Sequence, residues 1–241
     1  MDKDRVALVI PVYNHEGKIA EVVREALKLH LPLFVIDDGS SDSTYDQVNQ
    51  LKDKASITII RHSVNRGKGA AILTGFTAAF PSVDWAITMD ADGQHHPEDV
   101  LNLIRAVPPG ERPIVVGRRE GMNQRHVPWK SRFGRAFSNF WVRACGGPNL
   151  GDTQSGFRLY PLPEAMHLSV RARRFQFEVE ILVRAHWRRI PVRETPVRVT
   201  YDCAEERVSH YRGFVDFFRN AGTFSRLLFM RVCVFPFARG K

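Results

Sequence analysis

The chain has 241 residues, 44% of them apolar, with 35 Lys and Arg against 26 Asp and Glu for a formal net charge of +9. That length and apolar content suit one domain with its own core, and a charged fraction of 25% excludes a disordered or collagen-like chain. The charge is uneven: residues 1–120 hold 14 basic and 17 acidic side chains, whereas residues 121–241 hold 21 and 9.

The first half alternates between two periodicities. VALVI at 6–10 reads as a buried strand, and apolar residues at helical spacing follow over 19–29. LFVI at 33–36 is the next strand, with a helix over about 44–51, then ITII at 57–60 and a helix of small residues over 70–79. WAITM at 85–89 is a fourth strand, Pro97 opens a helix through Ile104, and IVV at 114–116 is a fifth strand. Continuous apolar strands separated by helices predict a mostly parallel sheet covered on both faces. After residue 120 the rhythm breaks. A basic, aromatic helix is expected over 125–145, stopped by Gly146-Gly-Pro148, followed by a loop and short strand over 151–160. Further expectations are a helix over 175–187, a strand over 195–200 and a helix over 213–234. This last segment carries an aromatic stripe through Phe214, Phe217, Phe218, Ala221, Phe224, Leu228 and Val232, with Arg219, Thr223 and Arg226 on another face. Such a helix suits an anionic membrane surface, or packs its stripe on the domain.

Cys145, Cys203 and Cys233 are too dispersed for a metal knuckle or a disulfide framework. The N-terminus runs into a strand without a signal peptide, and no window of about 18 apolar residues exists. A cytoplasmic protein without an ordinary transmembrane helix is therefore expected.

Ligands of parallel α/β sheets bind beyond the carboxyl ends of the strands, so each exit deserves inspection. The first reads Pro11-Val-Tyr13-Asn-His-Glu16. The second reads Asp37-Asp38-Gly-Ser-Ser-Asp-Ser-Thr44. Its adjacent carboxylates repel each other unless a cation or a donor-rich ligand such as a base and ribose lies near. The third, Asn65-Arg-Gly-Lys68-Gly69, is flexible and cationic and suits a diphosphate, but it lacks the Ser or Thr and the spacing of a P-loop. The fourth is Asp90-Ala-Asp92-Gly-Gln94-His-His-Pro97. In an extended segment, residues two apart project to one side, so Asp90, Asp92 and Gln94 can converge on one hard cation, Mg2+ or Mn2+. Adjacent histidines rarely share one metal, so His95 and His96 do not suggest zinc.

These motifs, in this order and with Thr153-Gln-Ser-Gly-Phe-Arg158 after them, resemble family 2 glycosyltransferases, and more narrowly the dolichyl-phosphate mannose synthase and polyprenyl-phosphate glycosyltransferase branch. The resemblance spans residues 5–200. It implies a GT-A fold: a nucleotide-diphospho-sugar transferase α/β sheet flanked by helices. The expected domain is 1–212, divided into a nucleotide-sugar half at 5–120 and an acceptor half at 121–212, with a basic amphipathic helical tail at 213–241. By position, Pro11, Tyr13, Glu16, Asp37 and Asp38 line the nucleoside pocket, although His15 displaces Glu16 by one residue from the family pattern. The resemblance likewise implies that Asp90, Asp92 and Gln94 hold Mg2+ or Mn2+ and that Lys68 and Arg118 help neutralise the departing nucleoside diphosphate. Asp152 is the candidate base for a hydroxyl acceptor; a phosphate acceptor instead needs positioning by Arg158 and other cations. Arg207, His210 and Arg212 are candidate phosphate clamps. Glu178 and Glu180 are expected to be structural, paired with Arg184 or Arg158.

The resemblance implies inverting transfer from a UDP- or GDP-sugar to a polyprenyl phosphate or other membrane-associated lipid, peripherally at the inner membrane face. The alternative acceptor is a hydroxyl of a cell-envelope glycan or glycolipid. The Gln-x-x-Arg-Trp motif of processive synthases is missing, so single transfers are expected. A nucleic-acid-binding protein fits the basic back half but leaves the acidic exits without purpose. A nucleotidyltransferase would show a Gly-rich loop where Pro11-Val-Tyr-Asn14 stands.

Overall fold

The computed structural model describes residues 3–52, 57–121, 129–200 and 213–233. These residues form one mixed sheet of seven strands: β1 (Val6–Val12), β2 (Leu33–Asp37), β3 (Ile57–Arg61), β4 (Trp85–Thr88), β5 (Ile114–Arg119), β6 (Arg158–Pro161) and β7 (Val192–Val197). The spatial order is β3-β2-β1-β4-β6-β5-β7, and every pairing is parallel except those of β6 with β4 and β5. Around the sheet lie α1 (Ile19–Leu27), α2 (Thr44–Lys52), α3 (Lys68–Ala79), α4 (Val100–Arg105), α5 (Trp129–Ala144), α6 (Phe177–Trp187) and α7 (Gly213–Cys233).

The period-two geometry of β1 divides the core. Val6, Leu8, Ile10 and Val12 face one layer with α1, α2 and α4, through residues such as Val23, Val48 and Leu103. Ala7 and Val9 face the other layer with α3 and α6, through Ala71, Phe76, Ile181 and Leu182. The small residues of α3 let it lie almost on the sheet. A Cβ on Gly75 would stand 2.3 Å from Val9 Cγ1. Because β1 pairs in parallel with β2 on one side and β4 on the other, the order in which strands are added switches direction at β1, the place where open α/β sheets form a crevice at the carboxyl ends.

Several boundaries differ from the sequence expectation. The last strand is 192–197 rather than 195–200, and Pro196 is accommodated because β7 is an edge strand whose outer side needs no ladder donor. The helix expected over 125–145 is described from Trp129 to Ala144. Residues 91–93 form a turn, with Gly93 at φ 75, so the extended geometry assumed for Asp90, Asp92 and Gln94 does not hold beyond β4.

The C-terminal helix is docked. Phe224 and Leu227 of α7 are buried with Val142, Cys145, Val179 and Val183 of the α5 and α6 region, and Phe224 stacks on Trp141 at 5.9 Å between ring centres. The face expected to be polar is held too: Thr223 is buried, and Arg226 Nη2 donates to Glu180 Oε2 at 2.5 Å. No described helix is long and apolar enough to cross a membrane. Leu227→Ala is expected to destabilise the whole domain by about 3 kcal/mol in urea unfolding, because it opens a cavity in a shared core. An unchanged unfolding midpoint would show that α7 is not part of that core.

Candidate active site at the strand exits

The first two exits are stitched together. Asn14 takes a left-handed φ of 50, tolerable for Asn, and its backbone N–H donates to Ser40 Oγ at 3.0 Å. His15 N–H donates to Thr44 Oγ1 at 2.8 Å. Glu16 Oε2 accepts from the Ser43 hydroxyl at 2.6 Å and the Ser43 N–H at 3.1 Å. Glu16 therefore clamps the second exit loop. Pro11 is buried in β1, and Tyr13 is half-buried where that strand leaves the sheet.

The adjacent carboxylates of the second exit do not wait for a ligand to relieve their repulsion, contrary to the sequence argument. Asp37 Oδ1 accepts from Ser40 N–H at 2.9 Å, and Oδ2 lies 3.0 Å from Arg61 Nε without the alignment of a hydrogen bond. Asp38, buried beneath, meets the His62 ring at 2.7 Å and accepts from the backbone N–H groups of Arg66 at 2.9 Å and Gly67 at 2.7 Å. Asp38 thus shapes the third exit. That third exit is not a flexible loop. Gly67 has φ 98, and a Cβ there would stand 2.4 Å from the Arg173 carbonyl oxygen. A Cβ on Gly69 would stand 2.5 Å from Phe177 Cβ. Both glycines serve close contact with the segment leading into α6.

That contact places Lys68. Its ammonium lies 2.6 Å from Asp90 Oδ1 and 2.5 Å from Glu178 Oε1. Burial works against the charged amine, but the two carboxylates outweigh it and hold Lys68 protonated well above the usual lysine range. The same balance keeps Asp90 ionised: burial raises its pKa, and Lys68 and His95 lower it further than burial raises it. His95 Nε2 is 3.8 Å from Asp90 Oδ2, and its ring stacks on Phe157 at 4.9 Å. Asp92 Oδ1 accepts from Gln94 N–H at 3.0 Å, which fixes the turn. Gly156 closes over the pair: a Cβ there would stand 2.6 Å from Asp90 Oδ2 and 2.7 Å from Lys68 Nζ. The missing side chain lets the Gly156 backbone lie directly against the Asp90 carboxylate and the Lys68 ammonium.

This arrangement fits a divalent cation of the Mg2+ or Mn2+ kind. Among the described residues no three His, Cys, Asp or Glu side chains gather into a protein cage. Mg2+ is normally held by one or two carboxylates, with phosphate and water completing the shell. Asp90 and Asp92 are the two carboxylates here that could supply such a half-site, and the Gln94 N–H is bonded to Asp92.

The acceptor-side loop departs most from expectation. Asp152, the candidate base, is fully buried, with Arg119 Nε at 2.7 Å from Oδ2 and Nη2 at 3.0 Å from Oδ1. Burial raises its pKa, but the Arg119 guanidinium and backbone N–H groups override that and hold it below the ordinary value. A carboxylate so engaged is a brace and not a base. Arg158, expected at the acceptor, is fully buried as well, and it donates to the carbonyls of Ser155 at 2.6 Å, Glu178 at 2.7 Å and Thr153 at 2.9 Å. No fork of this guanidinium is turned to a phosphate. Arg118 is exposed on β5, with its Cδ 3.0 Å from where a Cβ on Gly151 would sit, beside Glu194. It thus lies on the acceptor loop. Glu194 in turn accepts from the N–H groups of Gly151 at 2.8 Å and Asp152 at 2.9 Å. Arg207, His210 and Arg212 lie outside the described residues. A cleft of about 450 Å3 beside α3, walled by Ile60, Arg66, Thr74 and Arg173 among others, contains none of the strand-exit carboxylates.

Sequence reasoning missed Arg119, His62 and the Glu178 contact to Lys68. Glu178 and Glu180 did leave a signal, since two acids inside the apolar helix start FEVEILV require buried cations. Glu180 answers to Arg184 at 2.6 Å, as expected, and also to Arg226.

Asp152→Asn is expected to destabilise the protein by about 3 kcal/mol at pH 7, because a buried pair loses one charge. The folded-state pKa of Asp152 lies below its unfolded value, so this contribution is complete above about pH 5 and is lost as pH falls toward the folded value. Urea unfolding of both proteins from pH 7 downward should show the difference narrowing with acidification. A constant difference would reject the Arg119 pairing.

The comparisons with known proteins agree with this geometry. The model of the family "Glycosyl transferase family 2" matches residues 7–162. The chain is 29% identical over 215 residues to the UDP-N-acetylglucosamine–dolichyl-phosphate N-acetylglucosaminyltransferase of Methanococcus voltae, covering 81% of this chain and 86% of that protein. It is 28% identical over 213 residues to the polyprenol monophosphomannose synthase of Mycolicibacterium smegmatis, covering 81% and 77%. Among solved structures it resembles the mannosyltransferase PcManGT from Pyrobaculum calidifontis in complex with GDP-Man and Mn2+, at TM-score 0.61 and 16% identity, over 96% of this chain and 64% of that one. Mannosyl-3-phosphoglycerate synthase from Rubrobacter xylanophilus superposes at TM-score 0.63 and 16% identity, over 94% and 73%. The chain spans about two thirds of the first solved chains it matches, and their likeness establishes the GT-A fold. With the family model covering more than half of its length, the chain belongs to glycosyltransferase family 2.

Proposed function

We propose that this glycosyltransferase moves a sugar, with inversion, from a UDP- or GDP-sugar to a polyprenyl phosphate or a related membrane-associated lipid. The observation that carries the reading is the Lys68–Asp90 pair just beyond β4, covered by the Gly156 backbone and two residues before Asp92. Asp90 and Asp92 would hold Mg2+ or Mn2+, which when bound offsets the charge that builds on the departing nucleoside diphosphate. Lys68 adds a fixed ammonium for the same charge. Asp37 Oδ2, a buried acceptor without an aligned hydrogen bond, suits an N–H of the base, and Pro11 and Tyr13 flank Val12, the β1 residue in register with Asp37. The relatives named for dolichyl-phosphate and polyprenol acceptors support a lipid phosphate.

The sealed state of Asp152 supports the phosphate acceptor over the hydroxyl one. A hydroxyl must lose a proton as it attacks, whereas a phosphate monoester is ionised near neutral pH and needs positioning alone. In the transfer, the acceptor phosphate oxygen forms the new bond to the anomeric carbon while the bond from that carbon to the diphosphate oxygen breaks. The nucleoside diphosphate leaves with the electron pair.

A lipid acceptor requires access to a bilayer. Phe133 and Phe140 stand two turns apart on α5, and Phe229 and Val232 one turn apart on α7, all 60–67% exposed. The two helices are joined through Phe137, Trp141 and Phe224. Exposed Arg132 and Arg143 share α5 with the two phenylalanines. Aromatic side chains beside arginines suit the interface of an anionic membrane, whose cytoplasmic leaflet carries the negative surface potential that attracts arginine.

Two experiments test these statements. A panel of UDP- and GDP-sugars with Mn2+, Mg2+ or EDTA and extracted polyprenyl phosphate should give transfer that EDTA abolishes. Asp92→Ala should lower that transfer about 100-fold or more with an unchanged unfolding midpoint; full activity with EDTA present rejects the metal role. Phe140→Ser with Phe229→Ser should release the protein from phosphatidylglycerol vesicles in co-sedimentation, and retention equal to wild type rejects this membrane face.

A further inference from the structure

Glu178 has no task in the transfer described above. Its side chain is 8% exposed, and a carboxylate so far removed from water is unfavourable unless paired. Its partner, Lys68, is already engaged by Asp90 at 2.6 Å. One ammonium therefore serves two carboxylates that arrive from different elements: Asp90 from the exit of β4, and Glu178 from the first turn of α6. The anchorage of Glu178 is firm. Its backbone carbonyl accepts from the buried Arg158 at 2.7 Å, and Phe177 beside it is in contact with Gly69 of α3.

A divalent cation would affect the two carboxylates differently. A cation shared by Asp90 and Asp92 competes for the oxygen that Lys68 now holds, and its charge repels the ammonium. Gly156 lies over one side of Lys68 and the Phe175 ring centre is 6.0 Å from Nζ on another. Displaced from Asp90, the ammonium still has Glu178 within direct contact. Without Glu178, release of Asp90 would leave a largely buried, unpaired ammonium, so Lys68 would hold on to Asp90 against the cation.

We propose that Glu178 is a positioning residue of the donor site that acts through Lys68, anchoring the ammonium beside the diphosphate position while Asp90 is given up to the divalent cation. This rests on the nucleotide-sugar reading above. It assigns the buried acid of α6 to the donor side, although it belongs to the acceptor half of the sequence.

The test is Mn2+ binding to the full chain, followed by loss of the free Mn2+ signal in electron paramagnetic resonance, so that turnover is not needed. Glu178→Gln should weaken Mn2+ binding roughly tenfold, about the size of one charge-assisted contact. Lys68→Met should bind Mn2+ more tightly than wild type. In the Lys68→Met background, adding Glu178→Gln should change the affinity by less than about twofold, since the two residues act as one unit. Glu178→Asp, which keeps the charge on a shorter arm, should recover part of the loss. An equal loss in both backgrounds means that Glu178 acts on the cation by its own charge, and overturns the proposal. An unchanged affinity in Glu178→Gln, or no tightening in Lys68→Met, overturns it as well. Unfolding midpoints accompany each variant; if Glu178→Gln does not fold, the Lys68→Met comparison still decides. Thermal shifts of wild type with UDP- and GDP-sugars run in parallel. Wild type that binds a nucleotide-sugar and Mn2+ while the variants fail these expectations sinks the Glu178 role alone, whereas wild type that binds neither sinks both.

Discussion

One ammonium between two carboxylates is the contact on which the rest of this site depends. Lys68 begins α3, Asp90 follows β4 and Glu178 begins α6, so the triad ties the nucleotide half of the sheet to the helical layer behind it. Its geometry is set by backbone sterics before any charge is considered. Gly67 and Gly69 let α3 start against the Arg173–Phe177 stretch, where any side chain would meet a carbonyl or a ring. With α3 fixed there, the Lys68 ammonium lies 2.6 Å from Asp90 and 2.5 Å from Glu178. The cluster of charge is therefore a consequence of close contact between two helix starts.

Paired burial governs the acceptor side as well. Arg158 satisfies three carbonyls, Arg119 holds Asp152, Glu194 holds the loop's N–H groups and Asn139 Oδ1 accepts from Thr153 N–H at 3.0 Å. Arg158, Asp152 and Thr153 are removed from water and paired, and the half-buried Arg119, Glu194 and Asn139 hold the loop from its outer side. The residues that look most catalytic in this stretch of sequence are thus spent on holding it. What the loop so held presents is the backbone of Gly156 over Asp90, since Thr88 Oγ1 donates to the Gly156 carbonyl at 2.6 Å.

The uneven charge of the chain divides along the same lines. Several basic side chains of the back half are spent inside the protein's own ion pairs and hydrogen bonds: the buried Arg158 answers carbonyls, and the half-buried Arg184 and Arg226 answer Glu180. Arg198 reaches the Asp99 carboxylate at the start of the α4 region. Others, such as Arg132 and Arg143, are exposed on α5 next to Phe133 and Phe140. The excess of basic residues is part scaffold and part surface, and net charge alone does not separate the two.

The order of strands and helices through residue 120 was legible in the chain, because hydrophobic periodicity is a local property, and so was the choice of Lys68 and Asp90, which the fold brings to 2.6 Å. Pro196 inside a strand, the docking of α7 and the seven-strand order required the fold, since edges and neighbours are defined between distant segments. The roles of Asp38, Asp152 and Arg158 were legible as chemistry but not as exposure. An Asp beside a Gly reads the same whether it faces solvent or an arginine 33 residues away, as Asp152 faces Arg119. Glu178 shows the same limit from the other side: its sequence predicts a buried partner, and only tertiary structure decides that the partner is Lys68, 110 residues distant. Residue type and spacing determined which chemistry this protein carries; burial and long-range pairing, which depend on where the chain returns to itself, decided which groups remain free to perform it.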